Sequence, residues 1–313
     1  MTVAFLFPGQ GSQAVGMGKA LADTFFEAKA VFETVDEALG QSLSDIIFNG
    51  SLETLTLTEN AQPALMAVSL ATMRVLEARG LQIHGRVAYV AGHSLGEYSA
   101  LAAAGSLTVA DAARLLRTRG RAMQAAVPVG LGAMAALIGV DLGQAQEIAS
   151  AAADGQICSA ANDNGGGQVV ISGHKAAVER AIEIAKAKGV KRAMLLPVSA
   201  PFHSALMAPA ASVMEEALAG IEIKPPVVPV IANVLAQPLS DPEAIRKRLV
   251  EQVTGVVRWR ESMAWLAGAG VTTFVEVGAG KVLSGLVKRI VDGAETMTVG
   301  TPQDVEAAAA KLA

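Results

Sequence analysis

Val87-Ala88-Tyr89-Val90-Ala91, then Gly92-His93-Ser94-Leu95-Gly96, then the Ala-rich stretch from Glu97 to Ala104: an apolar run, a glycine-bounded turn and a helix former follow one another without a gap. A short apolar run bounded by turn residues predicts a buried strand, and the two glycines permit a sharp reversal into the helix. The pattern recurs. Val3–Phe7 runs into Pro8-Gly9-Gln10-Gly11-Ser12, and Val271–Val277 runs into Gly278-Ala279-Gly280. Longer helical patterns lie between, such as 61–79, with Pro63 near its first turn and Gly80 just past its end. Strands alternating with helices in this way predict an α/β fold with a mostly parallel sheet.

The middle of the chain departs from that rhythm. Ala133–Val140 reads as a strand, 143–153 as a helix, and Ile157–Ala161 and Gln168–Ser172 as strands across the turn 162–167. A helix over His174–Lys188 and a strand over Arg192–Val198 follow. The order β-α-β-β-α-β is the ferredoxin-like split arrangement. Residues 128–197 are therefore expected to form a small domain inserted into a larger one made of 1–127 and 198–313, with a short helix near the C-terminus.

Composition narrows the function. The 313 residues suffice for a sizeable core; 52% are hydrophobic and 17% charged, which fits a compact enzyme rather than a disordered chain. A net charge of −4 with interspersed signs gives no nucleic-acid footprint. No stretch approaches the roughly 20 apolar residues of a membrane helix, and the N-terminus is too short and uncharged for a secretory signal. A cytoplasmic protein is expected, and its single cysteine, Cys158, reads as a buried thiol.

Ser94 carries the chemistry. It is the centre of a G-x-S-x-G turn between strand and helix, where the following N–H groups can face an oxyanion. A serine hydroxyl needs a base, and the chain offers His84, His93, His174 and His203. His84 lies in a linker, His93 would point away on a tight turn, and His174 caps a helix. His203, after the extended Pro201-Phe202, stands where the chain re-enters the large domain and is the best candidate. In the helix from Asp111 to Ala126, Arg119 falls within the apolar stripe of Ala112, Leu115, Leu116, Met123 and Ala126, whereas Arg114, Arg117 and Arg121 share a solvated face. A charge in that stripe requires an anion, which is either a core carboxylate or an anionic ligand. A nucleotide site at Gly9-Gln10-Gly11 is disfavoured, because no second strand supplies a ribose-binding acid and no phosphate-loop lysine follows.

Several motifs, in order and almost end to end, resemble the malonyl-CoA:acyl carrier protein transacylases of fatty-acid and polyketide synthesis. They are Phe7-Pro8-Gly9-Gln10-Gly11-Ser12-Gln13, Gly92-His93-Ser94-Leu95-Gly96-Glu97-Tyr98, Arg117-Thr118-Arg119-Gly120, Pro201-Phe202-His203-Ser204 and Glu276-Val277-Gly278-Ala279-Gly280. The resemblance implies a hydrolase-like large domain with a ferredoxin-like insert. It casts Ser94 as nucleophile, His203 as base, Gln10 and the Leu95 N–H as oxyanion donors, and Arg119 as partner of the malonyl carboxylate. It gives the Gln252 carbonyl the task of orienting the histidine, places Asn162 near the substrate, and makes Phe202 a malonyl-selecting residue. Malonyl-CoA and a phosphopantetheine-bearing acyl carrier protein are then substrates of a monomer, with no metal or other cofactor. Lys191-Arg192 and Lys288-Arg289 are candidate docking patches for the acidic carrier. A serine esterase or thioesterase is the rival activity, and a non-catalytic carrier-binding module a more distant one.

Overall fold

A computed structural model describes residues 2–198 and 200–312. Among the described residues ten strands form two sheets. In the first, β1 (Val3–Phe7) is buried along its whole length and lies between β2 (Tyr89–Gly92) and β9 (Thr273–Val277), parallel to both. Such a strand must be apolar at every position, because both faces are covered; this is why Val3–Phe7 shows no alternation. β10 (Glu295–Val299) extends the sheet beyond β9, and β7 (Val230–Ala232) extends it beyond β2. Only β8 (Gln237–Leu239) runs antiparallel, at the edge, where Pro238 is tolerated.

The second sheet is antiparallel throughout. β3 (Gly132–Ile138), helix Leu142–Ala153, β4 (Cys158–Gly165), β5 (Gln168–His174), helix Lys175–Ala187 and β6 (Arg192–Leu195) give the spatial order β4-β5-β3-β6. This is the ferredoxin-like arrangement. The sheet and its two helices enclose their own apolar cluster, drawn from residues between Ala133 and Ala185. The chain leaves the first sheet after β2 and two helices, builds the second, and returns at β7.

Three local expectations are corrected. Residues 162–165 are not part of the hairpin turn but continue β4, and the turn is confined to Gly166 and Gly167, both at positive φ. Polar residues stay in the strand because Asn162 bridges to Val257 and the Asp163 carboxylate accepts a 2.8 Å bond from Arg260. His174 does begin a helix, but its ring accepts the Ile157 N–H instead of capping it. The helix expected at 61–79 spans Thr58–Ala78, which places Pro63 in its second turn.

That helix is buried on nearly every side and packs along helix Val109–Ala125, which opens on a Thr108 cap. Contact is close at Gly120, where a Cβ would lie 2.6 Å from the Glu59 Cα. The close approach widens the buried face, so Arg117 is only 6% exposed and donates to Asn60 Oδ1 at 2.7 Å, rather than lying on the solvated face. Among the described residues no helix is long and apolar enough to cross a membrane. Gly120→Ala should cost about 1–3 kcal/mol through overpacking of this helix pair, read as a lowered urea midpoint; an unchanged midpoint would show that the helices can separate freely.

Candidate active site

Parallel pairing of Phe7 with Gly92 sets the turns after β1 and β2 side by side at one edge of the first sheet. Ser94 sits in the second turn at φ 53°, a left-handed conformation that costs a non-glycine residue roughly 1–3 kcal/mol. Glycine is required on either side for a steric reason: a Cβ on Gly92 would run into the Gly96 carbonyl, and one on Gly96 into the Phe7 carbonyl. Asn233, just past β7, clamps the turn. Its Oδ1 accepts the Ser94 N–H at 2.7 Å and its Nδ2 donates to the Gly92 carbonyl at 2.7 Å. Helix Gly96–Ala103 begins at once with Leu95 as its cap residue, so the Leu95 N–H stands at the helix N-terminus.

His203 follows the second sheet in the chain and also lies in the left-handed region, at φ 56°. Its Nδ1 bonds the Gln252 carbonyl at 2.9 Å, and its Nε2 lies 2.7 Å from Ser94 Oγ. A carbonyl only accepts, so Nδ1 carries the proton and Nε2 offers its lone pair to the serine hydroxyl. Burial, then the Arg119 charge, depresses the His203 pKa to about 3, and the ring is neutral in all ordinary buffers.

Arg119 is 1% exposed. Its guanidinium donates to Gln62 Oε1 at 2.7 Å, to Gln252 Oε1 at 2.9 Å and to Ser94 Oγ at 3.1 Å, while Nε has no partner among the described residues. Among the described residues no carboxylate forms an ion pair with it. Burial pulls its pKa down, against the fields of Tyr98 and Glu97. The cation is thus held by neutral oxygens, with one hydrogen-bonded face turned to the nucleophile. Glu97 stands one residue behind Gln252, accepting from Gln252 Nε2 at 2.8 Å and from the Asn233 N–H at 3.1 Å. Burial raises its pKa to about 7.

Ser94, His203, Arg119 and Gln62 open into a cavity of about 570 Å³ lined also by Gln10, Leu95, Asn162, Phe202 and Met134. Ser94, His203, Arg119 and Gln252 are therefore joined by hydrogen bonds, and Gln10, Leu95, Asn162 and Phe202 surround the same space. The Gln10 side-chain oxygen is taken by Thr58 Oγ1 at 3.0 Å. His93 is not a surface residue: it lines the cavity, pairs with Asn164 Oδ1 at 2.9 Å and packs against Trp259. His84 is exposed, and burial raises the Cys158 thiol to about 11. Among the described residues no cluster of three or more His, Cys, Asp or Glu side chains converges as metal ligands would. Sequence reading missed Gln62, Asn233 and the place of Glu97. Only Gln62 left a signal, as a lone amide inside the otherwise apolar run Ala61–Leu65.

A serine and a neutral histidine at the carboxyl edge of a parallel sheet, with a cation held beside the hydroxyl, define a serine enzyme of acyl transfer. The chain belongs to the acyl transferase domain family, whose profile matches residues 4–308. It is 47% identical over 307 residues to a malonyl CoA-acyl carrier protein transacylase of Bacillus subtilis, covering 98% of this chain and 96% of the relative. The crystal structure of an acyl-carrier-protein S-malonyltransferase from Bartonella henselae superposes with a TM-score of 0.98 at 59% identity, over 100% of this chain and 99% of the other. A malonyl-transacylase in complex with a type II PKS acyl-carrier protein superposes with a TM-score of 0.96 at 42% identity, over 99% and 100% of the two chains.

A depressed histidine pKa leaves the base of the unliganded site deprotonated far into acid, so the reactivity of Ser94 should be lost only as pH falls toward 3. Labelling of Ser94 by a fluorophosphonate should accordingly slow little between pH 8 and 5, whereas a histidine titrating at its ordinary value of about 6.5 would lose roughly thirtyfold by pH 5. Second-order labelling rates across that range decide it; a midpoint near 6.5 would refute the buried, neutral assignment.

Proposed function

We propose that this chain transfers malonyl groups from coenzyme A to the phosphopantetheine thiol of an acyl carrier protein by way of a malonyl ester on Ser94. The observation that carries this reading is Arg119, a buried guanidinium 3.1 Å from Ser94 Oγ with only neutral partners. An esterase for uncharged acyl groups would spend the desolvation of that cation for nothing. A malonyl carboxylate supplies the missing anion, and arginine is shaped to take it in a two-pronged, charge-assisted pair.

The chemistry follows from the hydrogen bonds. Ser94 Oγ attacks the thioester carbon while His203 Nε2 takes its proton, and the Gln252 carbonyl steadies the imidazolium that forms. The N–H of Leu95, with Gln10 across the cavity, faces the developing oxyanion. Collapse breaks the carbon–sulfur bond, and coenzyme A leaves with the proton from His203. The carrier's thiol then enters, gives its proton to His203 and attacks the ester carbon; the bond from that carbon to Ser94 Oγ breaks, and His203 returns the proton to the serine oxygen. Arg119 has a second effect. Its charge is one cause of the low His203 pKa, so a carboxylate arriving on Arg119 cancels that field and makes the histidine a stronger base when a dicarboxylic substrate is bound. Phe202 and Asn162 shape the cavity around the acyl group. Lys191 and Arg192, exposed where β6 begins, and Lys288 and Arg289, at the end of helix Val282–Ile290, offer cations to an acidic carrier.

Mass spectrometry after incubation with malonyl-CoA should find one malonyl adduct on the native protein and none on Ser94→Ala; an adduct of equal yield on the variant would displace the nucleophile. Arg119→Ala should lower kcat/KM for malonyl-CoA by about 2–5 kcal/mol of transition-state stabilisation while acetyl-CoA holds steady or improves. An unchanged ratio of the two substrates in a folded variant would mean that Arg119 serves the core alone.

A further inference from the structure

Glu97 is 2% exposed, lies behind the cavity and takes part in none of the steps above. Its Oε2 accepts two hydrogen bonds, from Gln252 Nε2 and the Asn233 N–H. A carboxyl group buried without an ion pair is costly, so its effect must be sought in the groups it holds.

Gln252 is the informative one. A side-chain amide has nearly the same shape either way round, and its partners decide which end is oxygen. The Gln252 NH₂ group faces Glu97 Oε2 at 2.8 Å, the Ser94 carbonyl at 2.9 Å and Asn233 Oδ1 at 3.4 Å. With the NH₂ group fixed there, Oε1 is turned to the Arg119 guanidinium. Reversed, the amide would set a donor against the donors of Arg119 and an acceptor against three acceptors. Gln62 holds the other nitrogen of the guanidinium, so the plane of Arg119 is set by two amides. Of the two, only Gln252 has its own orientation locked by a carboxyl group.

We infer that Glu97 is a positioning residue for selectivity: by holding the Gln252 amide one way round, it keeps Arg119 aimed at the place beside Ser94 where the malonyl carboxylate binds. It touches no substrate and acts through Gln252, and the inference rests on the malonyl-transfer reading. One carboxyl oxygen remains an acceptor whether Glu97 is ionised or not, so the role depends on reach rather than charge.

Reach and charge separate in two variants. Glu97→Gln keeps an acceptor oxygen at the same distance without the charge; Glu97→Asp keeps the charge but is one methylene too short. The measurement is the ratio of kcat/KM for malonyl-CoA over acetyl-CoA, which a role confined to packing would not move. Glu97→Gln should stay within about threefold of the native ratio, and Glu97→Asp should lose about tenfold or more. Should Glu97→Asp fail to fold, Glu97→Met, which replaces the buried acid by an apolar chain of similar length, should show the same loss. An aspartate or methionine variant with the native ratio overturns the inference, as does a glutamine variant that falls as far as they do. The native protein provides the control. If it forms no malonyl ester on Ser94, the underlying reading fails; if it does and the ratios do not move as stated, the inference alone fails.

Discussion

A guanidinium buried beside a nucleophile has to be kept charged, kept in place and kept available, and those demands conflict. A carboxylate would hold Arg119 firmly but would also satisfy it. The chain instead surrounds the cation with amide and hydroxyl oxygens, which orient its N–H groups while leaving its charge largely uncompensated. The nearest acid, Glu97, is set one amide further back, where it is linked to Arg119 through Gln252 without pairing directly. Neighbouring features depend on that choice. The low pKa of His203 reflects burial first and the uncancelled field of Arg119 second, and Gln252 serves both partners at once, with its main-chain carbonyl on the histidine and its side chain on the arginine.

The second constraint is steric. Ser94 and His203 both occupy left-handed backbone, and both are secured by hydrogen bonds from distant segments: Asn233 on the serine turn, Gln252 on the imidazole. The strain is local, whereas the restraint that offsets it comes from the rest of the fold. Close backbone packing across Gly92, Gly96 and Phe7 then leaves the turn a single way to run.

The parts of this arrangement visible in the sequence were those with a period or a spacing. Strand β1 was readable because full burial makes it apolar without alternation, β9 because its run leads into the glycine turn at 278–280, and the split arrangement of the second sheet because its elements follow in a recognisable order. Arg119 stood out as a charge in a helical apolar stripe. Arg117 did not, because the buried face of that helix is widened by a neighbour whose approach no pattern within the helix records. Residues 162–164 looked like a turn because asparagine and aspartate favour turns and three glycines follow; their strand conformation is imposed by Val257 and Arg260, about a hundred residues away. Asn233 and the orientation of Gln252 left no trace, since a side-chain amide has no periodic signature and its role exists only once the fold has gathered its partners.

β1 is flanked by β2 on one side and β9 on the other, so the central strand obtains its two neighbours from opposite ends of the chain. His203 and Gln252 likewise follow the second sheet, while Ser94 and Arg119 precede it. On a ribosome adding about 5–20 residues per second, the nucleophile is therefore made on the order of several seconds before its base, and β1 keeps an open edge until β9 emerges. An unfinished chain carries a serine turn with no histidine to activate it and an apolar strand with one bare flank. Reactivity and protection from wrong pairing thus arrive together, late in synthesis, and the same topology that silences the nascent enzyme leaves it in need of shelter until then.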